Sequence, residues 1–447
     1  MRVIIVGAGE VGSSIAASLA DDHEVVVVDV DPERVDTLTY SLDVLAIEGD
    51  GTSLSTLREA GVDDADMIIA STDDDETNLV ACGTAKTVDD PFTIARVKSV
   101  DYLDTWQHAT DRGAFGVDFM VCTNLLTAED IVRVVSLPAA RDVDSFADGA
   151  VQMAEFTVRE ESPVADQTVA EADRFDSLTF AAIIRDDDVA IPGGDTCIRT
   201  GDKVVVIGSP ESVQGFAREV APGETPTGSE DLVIIGGSDI GYHTAELLEE
   251  RGLRPRLIER DHDRARKLAE KLPNTVVMEN DATDAEFLAR EHVDDADAVV
   301  AALESDEKNL LVSVLAKQLG VERTVAVIEN TEYVSVFETV GVDVGINPRE
   351  VTAEEITQFT LGLHTENVAL IENDRAEVLE IEVDADSVLV GRPIQEAVAD
   401  LPEGFVLGAI TRDGEFVVPR GETVVEPGDH VVVFVDIEVL DDVTAKL

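Results

Sequence analysis

Short runs of consecutive apolar residues, mostly β-branched, alternate along this chain with stretches in which apolar positions recur every three or four residues. The first run, Val3–Val6, leads straight into Gly7-Ala8-Gly9-Glu10-Val11-Gly12 and an amphipathic stretch over Ser13–Leu19. The second, Val25–Val28, ends in Asp29, and a third, Val44–Ile47, precedes Gly49-Asp50-Gly51-Thr52 and a helical pattern over Ser53–Ala60. Met67–Ala70 is followed by the polar segment Ser71–Asn78 and a helical pattern through Cys82, and Thr93–Val97 closes the series. Uninterrupted apolar strands alternating with helices predict an α/β fold, a doubly wound parallel sheet of the Rossmann type covered on both faces.

The pattern then returns. MRVIIVGAGEVGSSIAASLA at residues 1–20 reappears as EDLVIIGGSDIGYHTAELLE at residues 230–249, and the pairs Gly7/Gly236, Asp50/Asp281, Gly116/Gly341 and Gly194/Gly421 keep a nearly constant separation. The whole chain is therefore a duplication, and each copy carries a second, smaller module. Helices are predicted over Thr127–Ser136 and Thr352–Leu361, aligned through Thr-Ala-Glu-Asp-Ile and Thr-Ala-Glu-Glu-Ile. Beyond them short strands begin at Phe156 and Leu379 and end in Pro/Gly/Asp turns at 191–202 and 418–429. Such strands predict a small α+β domain. The expected division is a Rossmann-like domain at 1–122, a crossover helix at 123–140, a small domain at 141–221 and a polar, turn-rich linker at 222–230. The second Rossmann-like domain then spans 231–346, its crossover helix 347–364 and the last small domain 365–447.

The chemistry lies at the ends of the strands. In the order strand, glycine turn, helix, Gly7 allows the turn, Gly9 lets phosphates approach the backbone, and Gly12 lets the helix pack on the strand, leaving amide N–H groups facing an anion. Asp29 stands where an acid accepts hydrogen bonds from the hydroxyls of an adenosine ribose, and its carboxylate would repel a 2′-phosphate, so NAD is favoured over NADP. Glu10 within the glycine loop argues for a dinucleotide or diphosphate over ATP, unless it simply points into solvent. Asp50, Thr52, Asp73 and Arg96 follow or end predicted strands; Arg96 can face a phosphate, the Asp73–Glu76 carboxylates, or a surface ion-pair partner. The second copy keeps Gly236, Gly241, Glu259, Asp281, Thr283 and Asn309 at the positions of Gly7, Gly12, Asp29, Asp50, Thr52 and Asn78. However, it places Ser238 at the middle glycine and Val327 where the first copy has Arg96. Its pocket is weaker, altered in specificity, or structural only. Acidic clusters such as Asp73–Glu76 and Asp186–Asp188 read first as solvated faces.

The glycine fingerprint with Asp29, Gly49-Asp50-Gly51-Thr52, Asp64-Ala65-Asp66, Asp75-Glu76-Thr77-Asn78, Ala95-Arg96-Val97 and the two Pro-Gly-turn modules resemble tandem regulator-of-potassium-conductance (RCK, or KTN) domains. The duplicated layout resembles the regulatory subunits of Trk potassium-uptake systems. This resemblance implies a cytoplasmic protein, peripheral on the inner face of the cell membrane, whose homo-oligomer forms a tetrameric gating ring beneath a potassium-translocating membrane subunit of Trk type. It implies NAD or NADH in the larger lobes, with ADP or ATP as alternatives, and regulatory small lobes. Gly7, Gly9, Gly12, Asp29, Asp50 and Thr52 carry over to the family's nucleotide pocket, with Asp73 and Arg96 beside them. The competing readings are a regulator of another monovalent-cation channel or antiporter, and an NAD-dependent dehydrogenase. The last needs an acid–base group at the nicotinamide, and none of the seven histidines aligns with another across the copies.

Composition narrows the setting. Acidic residues number 94 against 33 basic ones, a formal charge of −61, yet 44% of residues are hydrophobic, so disorder is not the general explanation. No apolar run is long enough for a spanning helix, and the first residues form a strand, with no signal sequence. The negative charge excludes nucleic acid as a natural partner. Three widely spaced cysteines, Cys82, Cys122 and Cys197, fit reduced cytosolic thiols, with no disulfide framework or zinc site. Such an acidic surface is screened where the Debye length falls to roughly 3 Å at 1 M salt, which suggests a halophilic host. Dialysis from molar to millimolar KCl should lower the melting temperature and dissociate the oligomer; melting and particle size unchanged by dialysis would contradict a salt-adapted surface.

Overall fold

The computed structural model describes residues 1–20, 23–88, 90–108, 114–137, 140–175, 177–185, 188–221, 231–361, 367–371, 376–384, 387–402, 404–412, 415–444 and 446. The expected linker at 222–230, Asp186 and Asp187 of the second acidic cluster, and His364 lie outside them. The chain divides into two compact units, Met1–Val132 with Glu230–Thr357, and Arg133–Ser229 with Gln358–Leu447. The two larger modules thus share one unit and the two smaller modules the other.

The first larger module runs β1 (Arg2–Val6), α1 (Glu10–Leu19), β2 (Glu24–Asp29), α2 (Pro32–Ser41), β3 (Leu45–Glu48), α3 (Leu54–Glu59), β4 (Met67–Ala70), α4 (Asp75–Ala85), β5 (Phe92–Val97), α5 (Val100–Gln107), β6 (Phe119–Cys122) and α6 (Thr123–Ser136). All strands are parallel, in the order β3-β2-β1-β4-β5-β6. Ile4, Ile5, Ile68 and Ile69 have no exposed surface, because helices cover both faces; this is why the strands read as continuous apolar runs. The order reverses between β1 and β4, so their carboxyl ends form the switch point at which ligands lie in such sheets.

The first smaller module follows with β7 (Ala140–Phe146), β8 (Val151–Thr157), α7 (Val169–Ala172), β9 (Leu178–Arg185), β10 (Asp188–Ala190), β11 (Lys203–Gly208) and α8 (Pro210–Val220), in the antiparallel order β10-β9-β11-β8-β7. Its core gathers around Phe216, whose ring meets Phe156, Phe175 and Phe180 edge-on.

The second larger module repeats the parallel sheet as β12 (Leu232–Ile235), α9 (Asp239–Glu250), β13 (Arg256–Glu259), α10 (His262–Lys271), β14 (Val276–Glu279), α11 (Ala285–Arg290), β15 (Ala298–Ala301), α12 (Asp306–Leu319), β16 (Thr324–Val327), α13 (Val334–Val340), β17 (Val344–Ile346) and α14 (Pro348–Leu361), ordered β14-β13-β12-β15-β16-β17. The last module has β18 (Asn367–Ile371), β19 (Ala376–Glu382), α15 (Ile394–Ala397), β20 (Phe405–Arg412), β21 (Glu415–Val417), β22 (His430–Asp436) and α16 (Leu440–Thr444). Within the second unit the two smaller modules share a core in which Met153, Val205 and Ile207 of the first join Val378, Val432 and Phe434 of the second. Thr179 Oγ1 donates across this contact to Gly408 O at 2.9 Å.

The crossover helices begin at Thr123 and Pro348, where the expected division put them at 123 and 347, and a turn before the helical patterns over Thr127–Ser136 and Thr352–Leu361. These threonines resemble helix starts in sequence, but Thr127 Oγ1 donates to Thr123 O at 2.7 Å and Thr352 Oγ1 to Pro348 O at 2.6 Å, so their hydroxyls are satisfied inside the helix. Pro348 fits the first helical position, where no N–H is needed.

One buried asparagine in each copy fixes the strand ends that frame the switch point. Asn78, fully buried, accepts from Thr72 N at 2.9 Å and Thr72 Oγ1 at 2.6 Å, and donates to Thr72 O at 2.9 Å and Arg96 O at 2.8 Å. Asn309 does the same for Leu303 N, Leu303 O and Val327 O. Asn78→Ala leaves buried backbone groups after β4 and in β5 unpaired and should lower stability by on the order of 3 kcal/mol. A melting temperature in molar KCl equal to wild type would show that the clamp is dispensable.

Candidate functional site

A cleft of about 850 Å³ lies at the switch point of the first larger module, lined among others by Gly7, Gly9, Asp29, Asp50, Asp73 and Arg96. Gly7 has φ +110°, a left-handed conformation that favours glycine, and its N–H donates to Val28 O at 2.8 Å. Gly9 precedes α1 without any side-chain cap. A Cβ at Gly9 would meet no protein atom nearer than Arg34 Nη1 at 3.5 Å. Packing therefore does not demand glycine at this position, and the amides of the first turn are open to an anion. Gly12 does not line the cleft; a Cβ there would run into the Gly7 carbonyl, so this glycine serves contact between helix and turn.

Asp29 is 9% exposed at the end of β2. Its Oδ2 accepts from Ala8 N at 2.6 Å and its Oδ1 from Asp31 N at 2.8 Å. The carboxylate is thus oriented by backbone, and each oxygen retains a lone pair. Asp50 accepts from Thr52 Oγ1 at 2.7 Å and Thr52 N at 2.9 Å, bonds that hold its carboxyl below the usual range. Thr52 orients Asp50 from outside the cleft lining.

Arg96 is only 3% exposed, which removes the surface ion-pair reading. Its Nε donates to Thr123 Oγ1 at 3.0 Å, while Nη1 lies 3.5 Å from Ser71 O and 3.4 Å from Asp73 Oδ1. Burial pulls this guanidinium below its ordinary value. Burial also works against the Asp73 carboxylate, but Lys98, at 3.2 Å, and Arg96 outweigh it and hold Asp73 below the usual range. Asp73, Asp74 and Glu76 are exposed and Asp75 half-buried, so the run is a solvated face whose carboxylates also have specific partners. Asp74 caps α4 through Thr77 N at 2.8 Å, Asp75 accepts from Lys98 N and Ser99 N at 2.9 and 3.0 Å, and Glu76 accepts from Tyr102 Oη at 2.8 Å.

One lining residue comes from the other copy. Arg349, the second residue of α14, reaches the first cleft and places Nη1 2.7 Å from Glu10 Oε1. Glu10 therefore does not simply point into solvent. Comparison of the copies position by position assigns each pocket to its own repeat, so a side chain entering from the other repeat leaves no spacing signal.

The second module has a cleft of about 700 Å³, lined by Gly236, Ser238, Glu259, Asp281 and Thr283, with Gly241 behind the Gly236 carbonyl. Glu259 keeps the acid cradle, accepting from Gly237 N at 2.9 Å and Asp261 N at 2.6 Å, and Asp281 accepts from Thr283 N at 2.9 Å and Thr283 Oγ1 at 2.7 Å. The phosphate side differs. Ser238 Oγ donates to Ala302 O at 2.7 Å and accepts from Gly241 N at 3.2 Å, so α9 is capped by its own chain where α1 is open. Val327, 3% exposed, leaves no counterpart to the Arg96 guanidinium. Among the described residues no group of three or more His, Cys, Asp or Glu side chains is placed to hold a metal ion.

The TrkA-N domain family matches residues 3–119 and 232–348, and the TrkA-C domain family residues 153–221 and 378–447. The Trk system potassium uptake protein TrkA homolog 1 of Methanosarcina mazei is 37% identical over 442 residues, covering 97% of each chain. The TrkA homolog of Archaeoglobus fulgidus is 37% identical over 434 residues, again 97% of each. In fold, the chain is similar to the GsuK RCK domain, with TM-score 0.60 at 20% identity over 100% of this chain and 94% of that one. It is similarly like the GsuK channel bound to NAD, with TM-score 0.60 at 20% identity over 100% of this chain and 78% of that one. The full-length relatives are potassium-uptake proteins and not dehydrogenases, so the chain is a regulatory subunit of a potassium transport system and not an enzyme. With both domain types matched in both copies and the resemblance extending over nearly the whole length, the chain belongs to the TrkA family.

Proposed function

We propose that the first cleft binds an adenine nucleotide, NAD or NADH before ADP or ATP, and that its occupancy gates a Trk-type potassium-translocating membrane subunit from the cytoplasmic side. The observation that carries this reading is the pairing of an uncapped α1 N-terminus with Asp29, held by two backbone amides at the ribose position. Gly7 and Gly9 shape the approach of the pyrophosphate, Asp50 and Asp73 line the walls, Arg96 supplies buried positive charge, and Gly12 and Thr52 support the turn and Asp50 from behind.

Among the described residues no helix is long and apolar enough to cross a membrane, so contact with the bilayer is assigned to the protein partner. Duplicated lobes suit a homo-oligomeric ring, a tetramer in this reading, on the inner face of the cell membrane. Gating requires a ligand that prefers one state of the ring; a ligand bound equally by both shifts nothing. A route out of the cleft exists in the Arg96 bond to Thr123 and the 3.0 Å hydrogen bond between the Thr123 and Thr352 hydroxyls, in which Thr123 donates because the Thr352 proton is given to Pro348 O; it joins α14 to α6. The second cleft, with Ser238 as a built-in cap, is the weaker site; Gly236, Gly241, Glu259, Asp281 and Thr283 serve its architecture.

Asp29→Ala removes charge-assisted bonds worth about 1.5–3 kcal/mol and should weaken NADH binding on the order of tenfold or more. Gly9→Asp should abolish nucleotide-dependent potassium uptake in reconstituted vesicles while leaving the oligomer intact by size-exclusion chromatography; normal nucleotide response in that variant would refute the site. Ser238→Ala, which uncaps α9, should cost about 1 kcal/mol of stability, and a melting temperature no lower than wild type would contradict the capping role.

A further inference from the structure

The first cleft is completed by a guanidinium from the second copy, and the second cleft receives nothing in return. All residues lining the second cleft belong to the second copy. The position in the first copy that matches Arg349 is Asn124, which has no cationic group.

The surroundings of Arg349 show a charge held in readiness. Asn347 Oδ1 accepts from Arg349 N at 2.8 Å and fixes the start of α14. The side chain is 27% exposed, with Nη1 2.7 Å from Glu10 Oε1 and Nη2 3.6 Å from Glu329 Oε2. Thr331 Oγ1, also from the second copy, lies 3.4 Å from Glu10 Oε2. Glu10 is the first residue of α1, the helix whose amides face the cleft. An unpaired carboxylate there would repel phosphate, whereas a guanidinium matches phosphate oxygens through two parallel donors. Arg349 also stands three residues before Thr352, the α14 residue bonded to Thr123.

We propose, building on the nucleotide reading above, that Arg349 is a phosphate-binding residue of the first cleft, which neutralises Glu10 through Nη1 while its remaining donors engage the ligand's phosphates, and so ties occupancy of the first copy to α14 of the second. The arrangement makes the site responsive to phosphate charge: a nucleoside without phosphate fits the ribose end but makes no use of those donors.

Calorimetric titration of the full chain in molar KCl with ADP, NADH and adenosine tests this, using wild type, Arg349→Gln, Glu10→Gln and the double variant. The expected result is an affinity loss on the order of tenfold for ADP and NADH in Arg349→Gln, unchanged adenosine affinity, and partial recovery of ADP binding when Glu10→Gln is added. Equal ADP affinity in wild type and Arg349→Gln would overturn the proposal, as would a loss shared by adenosine, which would mark Arg349 as merely shaping the cleft. Absence of ADP and NADH binding by wild type would instead overturn the nucleotide reading itself.

Discussion

A guanidinium buried beneath the switch point holds the first larger module together as a site. Arg96 could not sit at 3% exposure without partners, and it finds three in two places: Asp73 and Ser71 O after β4, and Thr123 at the start of α6. Asn78 grips the Arg96 carbonyl from the other side. The wall of the cleft, the ends of β4 and β5 and the crossover helix are therefore bonded to one residue, and Thr123 passes the connection to Thr352 in the second copy. A ligand phosphate that alters the balance between Arg96 and the exposed Asp73 acts on a buried guanidinium, which salt screens less than it screens a surface charge. That matters for a chain with a formal charge of −61, whose surface charges are strongly screened in concentrated salt.

Duplication preserved the scaffold and divided the chemistry. Both copies keep the acid cradle at the end of the second strand, the Asp-Thr turn and the asparagine clamp, with nearly identical hydrogen bonds. They differ on the phosphate side. Ser238 satisfies a first-turn amide of α9, whereas α1 leaves its amides open, and Val327 removes the buried cation. Two sites equal in frame but with their cations placed differently, Arg34, Arg96 and Arg349 in the first and Arg260, Arg264 and Lys308 in the second, are what a sensor needs if one lobe reads ligand and the other transmits the response. Arg349, crossing from the second copy, fits that division.

Much of this was legible in the sequence because strands buried on both faces leave continuous apolar runs and glycine turns leave fixed spacings. The alternation of strand and helix, the repeat, and the placement of Asp29, Asp50 and Arg96 at strand ends follow directly from those patterns. Three features did not. The crossover helices begin before Thr127 and Thr352 because these hydroxyls bond to carbonyls of the preceding turn, an arrangement that composition does not distinguish from a helix start. The Asp73–Glu76 run is the exposed face its charge suggests, but that Asp75 braces the start of α5 and Asp73 flanks Arg96 was not legible, because those partners lie far away in sequence. Arg349 enters the cleft from another repeat, and only the packed arrangement of the first unit brings it to Glu10.

The first cleft alone is proposed here as the nucleotide sensor. The most direct measurement is the stoichiometry of NADH binding per chain in molar KCl, repeated with Asp29→Ala and Glu259→Ala. One saturable high-affinity site is expected, lost with Asp29→Ala and retained with Glu259→Ala. Two equivalent sites per chain, or a single site lost only with Glu259→Ala, would contradict it.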